Sequence, residues 1–375
     1  MNKTILLTLI FLASCASPKR FPAFQETKLP TAEELFLVGK FQVKKKVYLL
    51  MDENNYGKDL DLSERRPVVP LEGTVFEEKY GLPEHRLFAN FFHKGKFWIA
   101  RVPKKAVEKV YVQLSYFPPI LAGKYVAAHS LIRFELNEST PLRLVAEMPT
   151  VEQHQALQKA SPEERLDLLP EVLSGEDPQY QVVNIAMSAE AQWTKDDPKK
   201  EYNLVRGKHG AFTQIIRIVS MDSRLREFFK SGNPVNQFEM KGLKRTDGIL
   251  TEAILSSQRD GISKLYDTLW YNCTTMAFDI LERGEGSKDK RFGFVRSFMQ
   301  RRIPVIAPDK IKSYGDLEVV PMSMDVSLKD EISLVFQEDI VKAKRPLCPE
   351  SMKPKLCATL QRTEQSLREW GMVSE

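Results

Sequence analysis

The chain has 375 residues, 42% of them hydrophobic and 28% charged, with a formal net charge of +5 at neutral pH. That balance is ordinary for a globular protein with a sizeable core. The basic runs Lys44-Lys45-Lys46 and Arg301-Arg302 are short and lack interleaved aromatics, so they read as solvated faces, and a nucleic-acid partner is not expected.

At the N-terminus Lys3 precedes an apolar run, Ile5 to Ala13, interrupted by Thr8. Its length suits the apolar region of a signal peptide and falls short of a membrane-spanning helix. The run ends in Leu12-Ala13-Ser14-Cys15, which resembles the lipobox of bacterial lipoproteins. In that motif small residues admit a peptidase and the cysteine thiol takes a diacylglyceryl group. The resemblance implies a signal peptide at 1–14, a lipid on Cys15 and a tether over 15–40, whose polar, proline-containing composition suits a linker. Two or three acyl chains anchor a protein stably where one holds it marginally. Ala16 after the cysteine, by similarity to enterobacterial sorting, favours the outer membrane. No later segment reaches the roughly 18 apolar residues of a transmembrane helix. The expected location is therefore the bacterial envelope, facing the periplasm, with the membrane as partner through the lipid.

The mature chain of about 360 residues is long enough for two or three folded units. Strand composition recurs at 41–51 (FQVKKKVYLLM), Lys96 to Val102 and Lys109 to Phe117, which makes 41–120 a β-rich N-terminal region. Pro118-Pro119 is expected to break it. Tyr125 to Leu136 then alternates: Ser130, Ile132, Phe134 and Leu136 on one face, His129, Leu131, Arg133 and Glu135 on the other. A turn at Asn137 to Pro141 lets Leu142 to Met148 return as a second strand. Thr150 to Leu173 is helical in character, with Ser161 as cap and Pro162 at the first helical position. Gln181 to Trp193 and Ala211 to Ser220 read as strands. Asp222 to Lys230, capped by Asp222, and Thr246 to Ser257 read as helices. After residue 300 the chain carries short strand-like runs, prolines and a cysteine pair, and there is no internal repeat.

The clearest helix is Asn272 to Arg283. Cys273, Met276, Ala277, Ile280 and Leu281 form one apolar stripe, Asn272 is a favourable N-cap and Gly284 a natural stop. Cys273 then follows the cap directly, beside unsatisfied N–H groups and the positive end of the helix dipole, both of which favour thiolate. The stripe turns it toward a sheet, where a strand histidine would complete a nucleophile–base pair. A cysteine on such a stripe is more commonly a small core residue, so chemistry needs a second signal. Of the four cysteines, Cys15 goes to lipid. Cys348 and Cys357 are expected to close a small loop in an oxidising periplasm, provided the geometry allows it. Cys273 is left as the odd thiol.

Leu265-Tyr266-Asp267-Thr268-Leu269, followed by Tyr271-Asn272-Cys273-Thr274-Thr275, resembles the Tyr-rich segment and Asn-Cys-Thr-Thr motif of the lacto-N-biosidase amino-terminal periplasmic domain family. His129-Ser130-Leu131-Ile132-Arg133-Phe134 is similar to that family's histidine-led strand. Ser188-Ala189-Glu190-Ala191-Gln192 is similar to its Ser-Val-Glu-Ala-Arg stretch, departing at two positions and lying far downstream. The order histidine first, cysteine later also resembles the circularly permuted branch of the NlpC-type papain-like superfamily, whose members are cysteine peptidases, amidases and acyltransferases. The resemblance covers residues 120 to 310.

The resemblance implies an α+β protein whose central domain, 121–310, is a permuted papain-like fold, an antiparallel sheet packed on helices. The β-rich region 41–120 precedes it and an extension, 311–375, follows. Cys273 is the implied nucleophile and His129 its general base. Glu190, or failing that Glu147, would hold the imidazole, and the Cys273 N–H, helped by Asn272, would stabilise an oxyanion. His209, in a glycine-flanked turn, is a competing base that reads as a surface residue; His85, His93 and His154 lie in polar stretches. No cysteine or histidine cluster has zinc spacing, and there is no phosphate loop or dinucleotide fingerprint, so neither metal nor cofactor is expected. Two functions stay open. One is a thiol hydrolase or acyltransferase acting on an amide or ester bond of an envelope peptidoglycan peptide, lipoprotein or lipid. The other is a non-catalytic envelope module that binds or scaffolds. The first requires His129 within reach of Cys273.

Overall fold

The computed structural model describes residues 28–39, 58–121, 124–173, 177–202, 204–208, 210–260, 262, 264–268, 272–286, 308, 311 and 319–373. The expected signal segment 1–14, Cys15, the strand expected at 41–51 and His209 lie outside the described residues.

The fold is α+β. Its strands are β1 (Val69–Pro70), β2 (His85–His93), β3 (Lys96–Pro103), β4 (Val107–Leu121), β5 (Lys124–Leu136), β6 (Leu142–Glu147), β7 (Gln181–Val182), β8 (Asn184–Gln192), β9 (Thr213–Ser220), β10 (Val235–Glu239) and β11 (Val319–Pro321). They form an 11-stranded sheet in the order β11-β10-β4-β5-β8-β9-β2-β3-β6-β7, with β1 on β2. The pairings are antiparallel except β2 with β9, which meet in parallel at Phe92 and Val219. Strands from all three expected segments share the sheet, because the β4–β5 hairpin spans residue 120 and β11 pairs with β10.

The helices are α1 (Val75–Tyr80), α2 (Val151–Lys159), α3 (Pro162–Leu168), α4 (Leu204–Lys208), α5 (Met221–Ser231), α6 (Thr246–Asp260), α7 (Cys273–Glu285), α8 (Lys329–Phe336) and α9 (Pro354–Glu369). On one face of the sheet Ile132, Phe134, Leu136, Met187, Ala189, Ile216 and Ile218 pack with α6 and α7. On the other, Ala186 and Val219 pack with residues of α5, α8 and α9. Every residue of β8 and β9 is therefore buried, as in a strand covered on both sides. The alternation expected from His129 to Leu136 is observed, with Ile132, Phe134 and Leu136 in the core cluster that includes α7.

Several local expectations needed correction. Pro118-Pro119 does not end β4; the strand runs to Leu121 through a register shift between Phe117 and Ile120, where a missing N–H is tolerated. Leu142–Glu147 pairs with β3 rather than returning along β5. Ser220, not Asp222, caps α5, its hydroxyl accepting the Ser223 N–H at 3.2 Å. After residue 300 the described chain is mainly helical, with a π-helical turn at Gln337–Lys342 between α8 and α9. The Cys348–Cys357 disulfide is present, its Cα atoms 5.3 Å apart, and pins the loop entering α9.

Helix α7 runs past Gly284 and ends at Gly286, whose φ of +72° suits the left-handed cap that glycine adopts freely. Gly284 has a different task. A Cβ there would lie 2.4 Å from the Ile249 Cα, so α6 and α7 cross at a glycine contact. Gly284→Ala is expected to lower stability by about 1–3 kcal/mol through overpacking. A denaturant midpoint equal to wild type would mean that the two helices part without cost.

Candidate active site

Asn272 shapes the start of α7. Its side-chain oxygen accepts the Thr274 and Thr275 N–H groups, each at 3.0 Å, and its amide donates to the Thr268 carbonyl at 2.7 Å. Cys273 is thereby the first helical residue, at the positive end of the dipole. The helix start is tied to β5 by Ser130 Oγ and Thr274 Oγ1, 2.8 Å apart, and by the Ser130 N–H, which donates to Cys273 Sγ at 3.4 Å. Strands β5 and β8 pair from Glu135–Asn184 as far as Leu131–Ser188. The sulfur occupies the fork beyond that point, taking an N–H that would otherwise bond the neighbouring strand.

His129 stands next along β5, its imidazole near enough to the Cys273 sulfur that each shifts the other's pKa, while its Nε2 makes no hydrogen bond among the described residues. Its Nε2 is 3.8 Å from Glu190 Oε1 on β8. The imidazole keeps 20% of its surface exposed, whereas Cys273 keeps 3%. Glu190 is held from several sides. Oε1 accepts from Ser188 Oγ at 2.7 Å and Arg217 Nε at 2.8 Å, and Oε2 lies 3.2 Å from Arg65 Nε. Arg217 continues to Glu227 at 2.6 Å, and Glu227 to Arg224.

These contacts set the protonation states. Burial pushes the Cys273 thiol up, but the His129 imidazole, the Ser130 N–H and the Tyr266 hydroxyl outweigh it and bring the thiol down to about 7. Burial would lower His129, but the facing sulfur and then Glu190 raise it to about 9. Burial also works against the Glu190 carboxylate, yet Arg217, Arg65 and His129 hold its pKa well below the usual range. A thiolate–imidazolium pair is thus favoured near neutral pH, with an anion behind the ring. Those are the parts an acyl-transfer site needs: a thiol biased toward thiolate, an acid–base group beside it and a carboxylate 3.8 Å behind the ring.

The sequence-derived trio Cys273, His129 and Glu190 comes together. Asn272 caps the helix, its oxygen and one amide hydrogen already committed, so the geometry supports capping rather than oxyanion binding. Glu147 is elsewhere, in an exposed ion pair with Lys96 at 2.6 Å. His93 and His154, expected in polar surroundings, are 7% and 0% exposed. His93 bonds Ser220 Oγ at 2.8 Å, and His154 lies inside the helix face that covers the sheet.

Sequence reasoning assigned no role to Tyr266, Arg217 or Arg65. The Tyr266 oxygen accepts the Cys273 N–H at 3.4 Å, and its ring is 5.6 Å from that of Tyr202. The Tyr-rich segment before the cysteine was the available signal. For the two arginines there was none, since Arg217 meets Glu190 from the neighbouring strand and Arg65 from a distant segment. Among the described residues no group of histidine, cysteine, aspartate or glutamate side chains is arranged to hold a metal, and no helix is long and apolar enough to cross a membrane.

No family model, curated protein or solved structure matches this chain.

Arg217 is 3% exposed, so its removal strands a buried carboxylate. Arg217→Met is expected to cost about 3 kcal/mol in urea unfolding. Adding Glu190→Gln should recover part of that loss, since the two changes share one interaction. Strictly additive losses would show that the pair is not coupled.

Proposed function

We propose that this chain is a thiol enzyme, a hydrolase or acyltransferase that cleaves an amide or ester bond in the bacterial envelope. The observation that carries the reading is His129 standing between the Cys273 sulfur, at a helix start, and the charged Glu190. The resemblance to the lacto-N-biosidase amino-terminal periplasmic domain family and to permuted NlpC-type papain-like proteins adds to it. A histidine strand followed in the chain by a cysteine-led helix on an antiparallel sheet is the arrangement that resemblance implies.

In this reading the Cys273 thiolate attacks the substrate carbonyl, forming a C–S bond and an oxyanion. The Cys273 N–H, which bonds the Tyr266 oxygen at 3.4 Å in the resting site, would turn to that oxyanion. As the tetrahedral species collapses, the His129 imidazolium protonates the departing amine or alkoxide. The neutral ring then takes a proton from water, or from an acceptor nucleophile, which attacks the thioester and frees the thiolate. Glu190 keeps the ring charged and oriented without itself accepting a proton. The carbonyl enters past the imidazole, the partner that keeps solvent exposure. The 3% exposure of Cys273 favours a second reading, a non-catalytic envelope module with a covered thiol.

Alkylation by iodoacetamide separates the two. A thiol lowered to about 7 should react with a pH midpoint near that value, below the ordinary cysteine midpoint of about 8.5. His129→Ala removes the cation that holds the thiolate, so the midpoint should rise and the rate at pH 7 fall about tenfold. Turnover of a substrate should follow a bell, rising through about 7 as thiolate forms and falling through about 9 as the imidazolium is lost. An unreactive wild-type thiol at neutral pH would favour the module.

The lipobox supports an outer-membrane lipoprotein anchored through Cys15. Cys15→Ala should move the protein from the membrane fraction to the soluble one. Full retention in the membrane would point to an anchor other than the lipid.

A further inference from the structure

A groove of about 860 Å³ opens at the end of the β5–β8 pair remote from the thiol. Its lining includes Glu135 and Asn184, which pair across those strands about 20 Å along β5 from His129. Two carboxylates of the lining are already matched, Glu135 by Lys109 at 2.7 Å and Arg133 at 3.2 Å, and Asp222 by Arg226 at 3.0 Å. Glu108, Glu138, Asp330 and Glu331 line it without an ion pair among the described residues, and Lys94 is the one described cation in the lining. Glu108 and Glu331 each accept a neutral side-chain amide, from Asn137 and Asn184. Burial pushes the Glu331 carboxyl up, and the Asn184 amide does not offset it. A second observation comes from His93, which also lines the groove and is 7% exposed. Its Nδ1 lies 2.8 Å from Ser220 Oγ, and that hydroxyl gives its own hydrogen to Ser223 Oγ at 3.2 Å. The imidazole therefore donates through Nδ1–H. Burial lowers its pKa to about 4, so the ring is neutral at pH 7. Its Nε2 is left as a buried acceptor with no partner among the described residues, which is uncommon in a folded chain.

Unmatched carboxylates and an unfilled acceptor call for the same partner, one that carries positive charge and N–H donors. The groove is much larger than a single ammonium ion and falls in the size range that holds an organic molecule. The acids are not gathered for a metal, since among the described residues no group of histidine, cysteine, aspartate or glutamate side chains is arranged to hold one. The lining also carries Leu136, Val182 and Leu334, the last 42% exposed. A chain of methylenes can cover such carbons while its charged groups reach the acids. The positive end of α8 offsets part of the charge on Asp330 and Glu331, but two carboxylates exceed the half charge of a helix dipole. We propose that this groove binds a linear aliphatic polyamine, its ammonium groups set against Glu138 and the Asp330–Glu331 start of α8, with one N–H donated to His93 Nε2. The site is separate from the thiol and does not depend on the acyl-transfer reading.

The test is calorimetric titration of the full chain with spermidine. Spermidine should bind at one saturable site, and butylamine, with a single ammonium, about tenfold or more weakly. Glu138→Gln combined with Asp330→Asn alters two exposed side chains and should weaken spermidine about tenfold, the loss expected from a hydrogen bond to a charged group. Glu163→Gln combined with Asp167→Asn makes the same change of charge outside the lining and should leave the affinity within about twofold, because screening confines exposed charges to a short range. His93→Phe removes the buried acceptor and should weaken binding by a similar tenfold factor; if that variant does not fold, the Glu138 and Asp330 pair decides. Wild-type affinity in the groove variants, or equal weakening by both pairs of substitutions, would reduce the effect to diffuse attraction and overturn the site. Calcium binding as tightly as spermidine, and lost with the same groove pair, would overturn it in favour of a metal.

Discussion

A carboxylate inside a sheet must be paired or it will take up a proton, and Glu190 is paired with Arg217 and Arg65. Everything electrostatic at the site follows from its staying charged. Held anionic, it favours the protonated form of His129, against the burial that would discharge the ring. The charged ring in turn favours thiolate at Cys273, again against burial. Burial opposes the charge of each of the three groups and the next group favours it, and the two arginines supply the cations that begin the chain.

The second constraint is geometric. A side chain at a helix start can bond a strand's backbone N–H only where the sheet opens, because an unbroken ladder leaves no such N–H free. Strands β5 and β8 separate beyond Leu131 and Ser188, and α7 puts its first residue there. The approach of α7 depends at its other end on Gly284 and Gly248 crossing, where neither glycine could carry a Cβ without shifting the neighbouring backbone. Cap and crossing thus fix two points of one helix, which leaves Cys273 little freedom to drift from His129.

Features encoded by local periodicity were legible in the sequence. The alternation of Ser130, Ile132, Phe134 and Leu136 against His129 and Arg133, the stripe beginning at Cys273 and the caps at Asn272 and Ser161 all repeat within a few residues. What was not legible depends on distant partners or on competing local signals. Strand β2 was missed; its ends carry His85, Arg86 and His93, and Asn90 adopts a φ of +65° where its register with β3 shifts. Two glycines near the end of α7 both suited a helix stop, and the packing of α6 decides between them. Helix α9 did carry a readable stripe, Leu356, Leu360, Thr363 and Leu367, but the prolines and the cysteine pair around its start led to a reading of short strand-like runs. For Glu190 the family resemblance supplied the residue, while its ties to Arg217 and Arg65 span 27 and 125 positions and leave no trace in any local window.

Arg65 brings a further element into the site. It belongs to the segment leading into β1, which is laid against the end of β8: Leu60 bridges to Thr194, Lys200 pairs with Asp61 at 2.8 Å, and Arg65 donates to the Ala191 carbonyl at 3.0 Å while stacking on Trp193. The half of the fork formed by β8 is therefore held by residues that precede the whole sheet in sequence. Lys200 lowers the Asp61 carboxyl to about 2 against its burial, so that pair remains ionised across the working range of the thiol. Because Arg65 holds one Glu190 oxygen and Arg217 the other, anything that loosened this segment would redistribute charge toward His129. The segment nearest the expected tether is thus electrostatically continuous with the candidate nucleophile, two ion pairs and one imidazole away.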